Sequence, residues 1–266
     1  MSKYKSVSRT KTRSSQKFHY GWVPDLPDQR DFLYSAVRPV TLKIPQHIDL
    51  RSTCSSVENQ GNLGSCTGNA LAGALEFLEK KDRIPFVDVS RLFIYYNERV
   101  IEGSVESDSG AMIRDGIKTL RHQGACTEKK WPYIIKKFAV KPNPACYKEA
   151  LNHQITSYHR VLTLDEMRIC LTEGFPFIFG FTVYESFESQ EVAETGIVQM
   201  PQPIERSIGG HAVLAVGYDE SQQRFIIRNS WGTSWGQKGY FTIPYDYLAN
   251  RNLSDDFWTI RRGESF

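Results

Sequence analysis

No apolar stretch in this 266-residue sequence is long enough to cross a bilayer: the longest, Phe175 to Val183 and Ala212 to Val216, are short and interrupted. No secretory h-region lies near the N-terminus, so no ordinary signal peptide is expected, which favours the cytoplasm or export by a non-classical route. Cysteine is sparse. Five residues, at 54, 66, 126, 146 and 170, make an odd count with no CxxC pair. That argues against a metal site and against a dense disulfide framework. The six histidines are scattered and none falls in an HExxH pair, so no metal and no cofactor is expected. There is no internal repeat.

Charge of one sign is missing locally. Residues 1 to 17 carry Lys3, Lys5, Arg9, Lys11, Arg13 and Lys17 and no acid. Removing those six from the 33 basic residues leaves 27 against 30 acids, so the net +3 belongs to a solvated basic arm on a mildly acidic body. Nucleic acid is not expected as a partner.

The arm gives way to an aromatic stretch punctuated by Pro24, Asp25, Pro27 and Asp28, which suits an extended path over a surface. A body then starts near Ile44-Pro45. Helical periodicity begins at Ser65, with Leu71, Leu75 and Leu78 on one face. Ser90 is a good N-cap for a second helix reaching about Val100. A third is expected over 110–121, stopping at Gly124, and a short one over 164–172, closing at Gly174. Strands are expected at 175–184, 211–218, 224–229, 239–243 and 257–261, all rich in β-branched and aromatic residues. The second and third should be joined by a hairpin at 219–223. Helices in the first half and antiparallel strands in the second give an α+β fold in two lobes, with a cleft between them as the natural substrate site.

Three segments carry chemistry. Gln60 stands six residues before Cys66, which opens the first helix; His211 follows Gly209-Gly210; Asn229 precedes Ser230-Trp231-Gly232. A thiol at a helix N-terminus has a lowered pKa, and an imidazole across the cleft would hold it as a thiolate. Asn229 would orient His211, and Gln60 with the Cys66 backbone N–H would supply two donors to an oxyanion. Singly, each piece reads as ordinary packing or turn structure. In this order, together, they read as an acyl-transfer site.

With these residues the chain resembles the papain-like cysteine peptidases, the cathepsin family, as a divergent bacterial-type member. The likeness runs from 44 to 266, leaving residues 1–43 as an N-terminal extension, and is strongest in His211-Ala212-Val213 and in Asn229-Ser230-Trp231-Gly232-Thr233-Ser234-Trp235-Gly236. It implies a two-lobed papain-like fold with a β-barrel-like second lobe, catalytic Cys66, His211 and Asn229, oxyanion donor Gln60, and Trp231 shielding the His–Asn hydrogen bond. It also implies a peptide or protein substrate, with the chain expected as a monomer. An acyltransferase or deamidase using the same triad, or a non-catalytic binding protein, are the rival readings.

The departures from the family pattern are informative. Leu63 stands where relatives carry a cysteine, so the usual disulfide beside the nucleophile is excluded; Thr67 replaces a bulky aromatic. The substrate-pairing Gly-Gly appears as Ser109-Gly110, and Gly210 precedes the histidine where many relatives carry Asp or Asn. Asp255, with Asp256 beside it, falls near the floor of the main specificity pocket, where an acid would favour Arg or Lys; the other reading is a solvated turn. Residues 1–43 are too short for the family's helical propeptide. The stretch 22–32 reads either as a short inhibitory segment docked on the cleft, making a zymogen, or as a strap that only adds stability.

Overall fold

The computed structural model describes residues 18–38 and 43–263; the basic arm lies outside the described residues. The helices are α1 (Cys66–Lys81), α2 (Arg91–Glu102), α3 (Ile113–His122), α4 (Pro144–Ala150), α5 (Leu164–Thr172), α6 (Gln190–Thr195) and α7 (Tyr245–Ala249). The strands are β1 (His47–Asp49), β2 (Ser157–Arg160), β3 (Phe177–Tyr184), β4 (Ser207–Asp219), β5 (Arg224–Arg228), β6 (Tyr240–Pro244) and β7 (Ser254–Arg261). They form one sheet in the order β2-β7-β3-β4-β5-β6, with β1 added on β4. Its pairings are antiparallel. The sheet stays open rather than closing into a barrel.

β3 shows why the sequence folds this way. Phe177, Phe179, Phe181 and Val183 point to one face, into a core shared with Val213, Ile227 and Phe241. Ile178 points to the other face, against α1, in a second core with Leu71, Leu75 and Leu214. Both faces are covered, so the strand is apolar along most of its length. α1 is correspondingly buried nearly all round, wedged between the sheet and the helices α2 and α3.

Local signals place the element ends. Ser90 Oγ accepts the Phe93 N–H at 3.1 Å and Gly103, at φ 69°, closes α2. α3 begins later than its sequence suggests, at Ile113: Gly110 is left-handed (φ 75°) and the Ala111 N–H is donated to Gly21 O at 2.8 Å. α4 was not expected, although its signal is present: Asn143 caps it and Pro144 occupies its first turn. β4 begins four residues before His211, at Ser207.

The stretch before the body is extended and lies on the surface, as its composition suggests. Its far end is anchored by Tyr34, which is fully buried with its hydroxyl on Glu173. The Arg160 N–H is donated to Phe32 O at 2.7 Å.

Candidate active site

Cys66 is the first residue of α1, behind Ser65, and is fully buried. Its Sγ accepts the Ala212 N–H at 3.4 Å and also the Gly21 N–H. β4 supplies His211 opposite, paired in register with Phe181 of β3. The turn after β5 supplies Asn229, whose Oδ1 lies 2.8 Å from His211 Nε2. Because a carboxamide oxygen only accepts, Nε2 carries the proton and Nδ1 is left as the basic nitrogen. Among the described residues Nδ1 has no hydrogen-bond partner. Trp231 stacks on the imidazole, ring centroids 5.1 Å apart and planes 28° apart, covering the His211–Asn229 contact.

Gln60 is held from behind. Its Oε1 accepts from Ser230 Oγ at 2.6 Å, while its Nε2 donates to Leu63 O at 2.9 Å and to His19 O at 3.0 Å. Tyr133 adds support by donating to Gln60 O at 2.9 Å and bonding to Ser65 Oγ at 2.5 Å. Thr67, at the family's aromatic position, donates to the buried Glu98 at 2.7 Å.

The electrostatics differ from the thiolate–imidazolium pair that the sequence suggests. Burial pushes the Cys66 thiol up to about 12, against the smaller opposing effect of the Ala212 and Gly21 N–H groups. Burial likewise pulls His211 down to about 4, with the Asn229 bond opposing it. Both groups are neutral in this state. Residues 18–25 contribute to that burial, with Tyr20 at the edge of His211 and the Gly21 N–H on Cys66, beside Trp231, Phe181 and Phe187 of the body.

That strap runs through the cleft. Phe18 stacks on Trp231 with centroids 3.6 Å apart, and Tyr20 meets the edge of His211 at 5.9 Å. Tyr20 Oη donates to Glu188 at 2.5 Å and His19 pairs with Asp108 at 2.6 Å. The Trp22 N–H is donated to Gly210 O at 2.9 Å and the Val23 N–H to Ala111 O at 3.0 Å, a parallel bridge. Gly110, expected to pair with substrate backbone, is packed against the strap: a Cβ there would lie 2.2 Å from Gly21 O. Ser109 is exposed beside it and makes no such contact. The Trp22 indole lies over Gly180, where a Cβ would come within 1.9 Å of the ring.

At the floor of this indole site the structure places Asp256 rather than Asp255. Asp256 Oδ2 accepts Trp22 Nε1–H at 3.0 Å and the Asp25 N–H at 2.8 Å; its Oδ1 bonds Arg160 at 2.9 Å. Asp255 turns outward to Arg251 and Arg160, at 2.7 and 3.2 Å. The reason is a register irregularity between Ile178 and Gly180 in the β3–β7 ladder, with Asp256 itself at φ 56°. Ser230, within the Asn229 motif, also builds the site, as do Tyr133, Asp108 and Glu188, for which the sequence alone carries no signal.

The description "Papain family cysteine protease" belongs to the family model that matches residues 44–255. The chain belongs to this family. An uncharacterized peptidase C1-like protein of Acanthamoeba polyphaga mimivirus is 44% identical over 91% of this chain and 86% of its own length. Pro-cathepsin H of Mus musculus is 30% identical over 75% of the chain, which spans 60% of that protein. Among solved structures, xylellain, a cysteine protease from Xylella fastidiosa, superposes with a TM-score of 0.87 and 43% identity, over 96% of this chain and all of that one. The papain-like α+β fold and the cysteine-type peptidase class follow. Among the described residues no helix is long and apolar enough to cross a membrane.

Proposed function

We propose that this papain-family peptidase cleaves peptide bonds through an acyl-enzyme on Cys66 and that residues 18–32 hold it latent. The observation that carries both parts is the double occupation of the site by one strap: Gln60 Nε2 holds the His19 carbonyl while the Cys66 sulfur faces the Gly21 N–H. The donor aimed at a carbonyl oxygen supports an oxyanion role for Gln60. The sulfur, by contrast, meets an amide nitrogen of the strap.

With the strap displaced, water reaches the pair and the burial that keeps both groups neutral is relieved. Cys66 then loses its proton to His211 Nδ1, and the thiolate attacks the scissile carbonyl. Gln60 and the Cys66 N–H hold the oxyanion. His211 protonates the leaving amine, then takes a proton from the water that hydrolyses the thioester. Asn229 keeps Nδ1 facing the sulfur throughout by accepting from Nε2.

The indole site also bears on specificity. Once Trp22 leaves, Asp256 Oδ2 loses two donors in a slot walled by Gly180 and Gly210. A substrate side chain with a flat or slender apolar body and an N–H at its tip, arginine above all, restores them.

The deciding experiment compares the full chain with one starting at Leu33, which keeps the Tyr34 anchor. Faster peptide turnover and faster alkylation confined to Cys66 in the shorter chain are expected. Equal rates in two folded proteins remove the latency. Ammonia release from glutamine peptides without backbone cleavage reassigns the site to deamidation.

A further inference from the structure

All five cysteines are free thiols, and two of them are close neighbours. Cys126 lies on the segment after α3 and Cys146 in the first turn of α4. The two thiols lie close enough to influence each other, and both are fully buried in one apolar cluster with Leu92, Phe93 and Trp131. Neighbouring contacts hold the two segments together. The Thr127 N–H and Oγ1 both reach Glu149 Oε2 of α4 at 3.3 Å, and Cys146 Sγ faces Lys130 O at 4.0 Å. Cys54 and Cys170 face oxygen atoms instead, Leu50 O and Thr259 Oγ1.

We propose that Cys126 and Cys146 form an intramolecular disulfide when a small-molecule disulfide is present as oxidant, and that this bond braces the wall behind Cys66. One thiol of the pair loses its proton and attacks the external disulfide, releasing one small thiolate and leaving a mixed disulfide. The second thiol loses its proton and its sulfur attacks the first protein sulfur. The Sγ–Sγ bond forms and the second small thiolate departs. Two protein thiols are oxidised and one external disulfide is reduced, with both protons passing to the departing thiolates.

The ring closed by this bond contains Trp131-Pro132-Tyr133. Ser90 Oγ, at the cap of α2, donates to Trp131 O at 2.5 Å, and Tyr133 Oη reaches both Gln60 O and Ser65 Oγ. Leu63, where relatives carry the bridging cysteine, packs into the same cluster as Cys126 and Cys146. The brace missing on one side of that cluster is thus available on the other. Burial raises the Cys126 thiol above its ordinary range, so exchange is slow, as suits a structural staple better than a rapid sensor.

The test uses the full chain carrying Cys66→Ala, equilibrated with oxidised glutathione or with dithiothreitol, then digested without reduction. Trypsin separates residues 122–129 from residues 138–148. The expected result is one cross-link between these peptides with the loss of two hydrogens, and a thermal midpoint roughly 4–10 °C above that of the reduced protein. Cys146→Ser abolishes both changes. Separate glutathione adducts, cross-links to Cys54 or Cys170, no cross-link, or a cross-link without a rise in midpoint overturn the proposal. The peptide map of the chain with its pair intact decides even if the serine variant fails to fold.

Discussion

Asp25 of the strap donates its N–H to Asp256 of β7 at 2.8 Å, so that two carboxylates meet where the strap joins the body. Asp25 Oδ2 in turn accepts from Trp258 Nε1 at 2.8 Å and its Oδ1 from the Arg114 N–H at 3.1 Å. Arg114 and Arg160 are shared with Asp31, and Arg160 also with Asp255. Burial, then the charge of Asp256, raises Asp25 to about 7, and Asp256 is raised as well, chiefly by burial.

A direction of pH dependence follows from that pair. A carboxyl whose docked value lies above its ordinary 3.8 takes up a proton when the strap docks. Its contribution to docking is complete below the ordinary value and is gone once pH has risen through about 7. The ratio of kcat/KM for the full chain to that for the chain starting at Leu33 should therefore rise from about pH 5 to about pH 8. Taking the ratio cancels the intrinsic titration of the nucleophile. Asp25→Asn should flatten it, and a ratio that rises on acidification contradicts the assignment.

Trp22→Ala should weaken the strap without touching the catalytic groups. Removing a half-buried indole of this kind corresponds to about 2 kcal/mol, or roughly thirtyfold in strap occupancy. Peptide turnover by the full chain should rise accordingly, while the same substitution is irrelevant to the chain starting at Leu33. Unchanged turnover would place the strap's hold elsewhere.

Gln60→Ala should be measured in the chain starting at Leu33, because Gln60 also holds His19 O. There, kcat should fall by about 100- to 1,000-fold with a small change in KM, the signature of a donor used in the transition state. A pure KM effect makes Gln60 a binding residue instead.

Asp256→Ala should reduce cleavage after Arg relative to Leu at the second residue before the scissile bond. The expected change is about tenfold, the scale of one charge-assisted hydrogen bond. Asp255→Ala, at the outward position, should leave the ratio alone.

Much of this molecule is legible in its sequence because local rules agree with the global fold. Ser90 caps α2, the Phe177–Val183 alternation packs one face of β3, and Cys66 at a helix start, His211 within β4 and Asn229 just after β5 suit the spacings of the candidate site. That Asp256 rather than Asp255 faces inward was not legible, because strand alternation fails where the β3–β7 register slips and one residue turns left-handed. α4 escaped because seven residues give too short a period, though Asn143-Pro144 marks its start. The strap's docking depends on contacts such as Tyr20 to Glu188, 168 positions apart, which no local pattern encodes.

The anchor at Phe32 to Tyr34 gives the proposed inhibitory strap a property that no separate inhibitor has. When residues 18–25 leave the cleft they stay tethered, so reclosure is unimolecular and independent of protein concentration. A tether this short corresponds to an effective concentration on the order of millimolar. Diluting the protein does not open it, and a competing peptide succeeds only by outbidding a neighbour that never diffuses away.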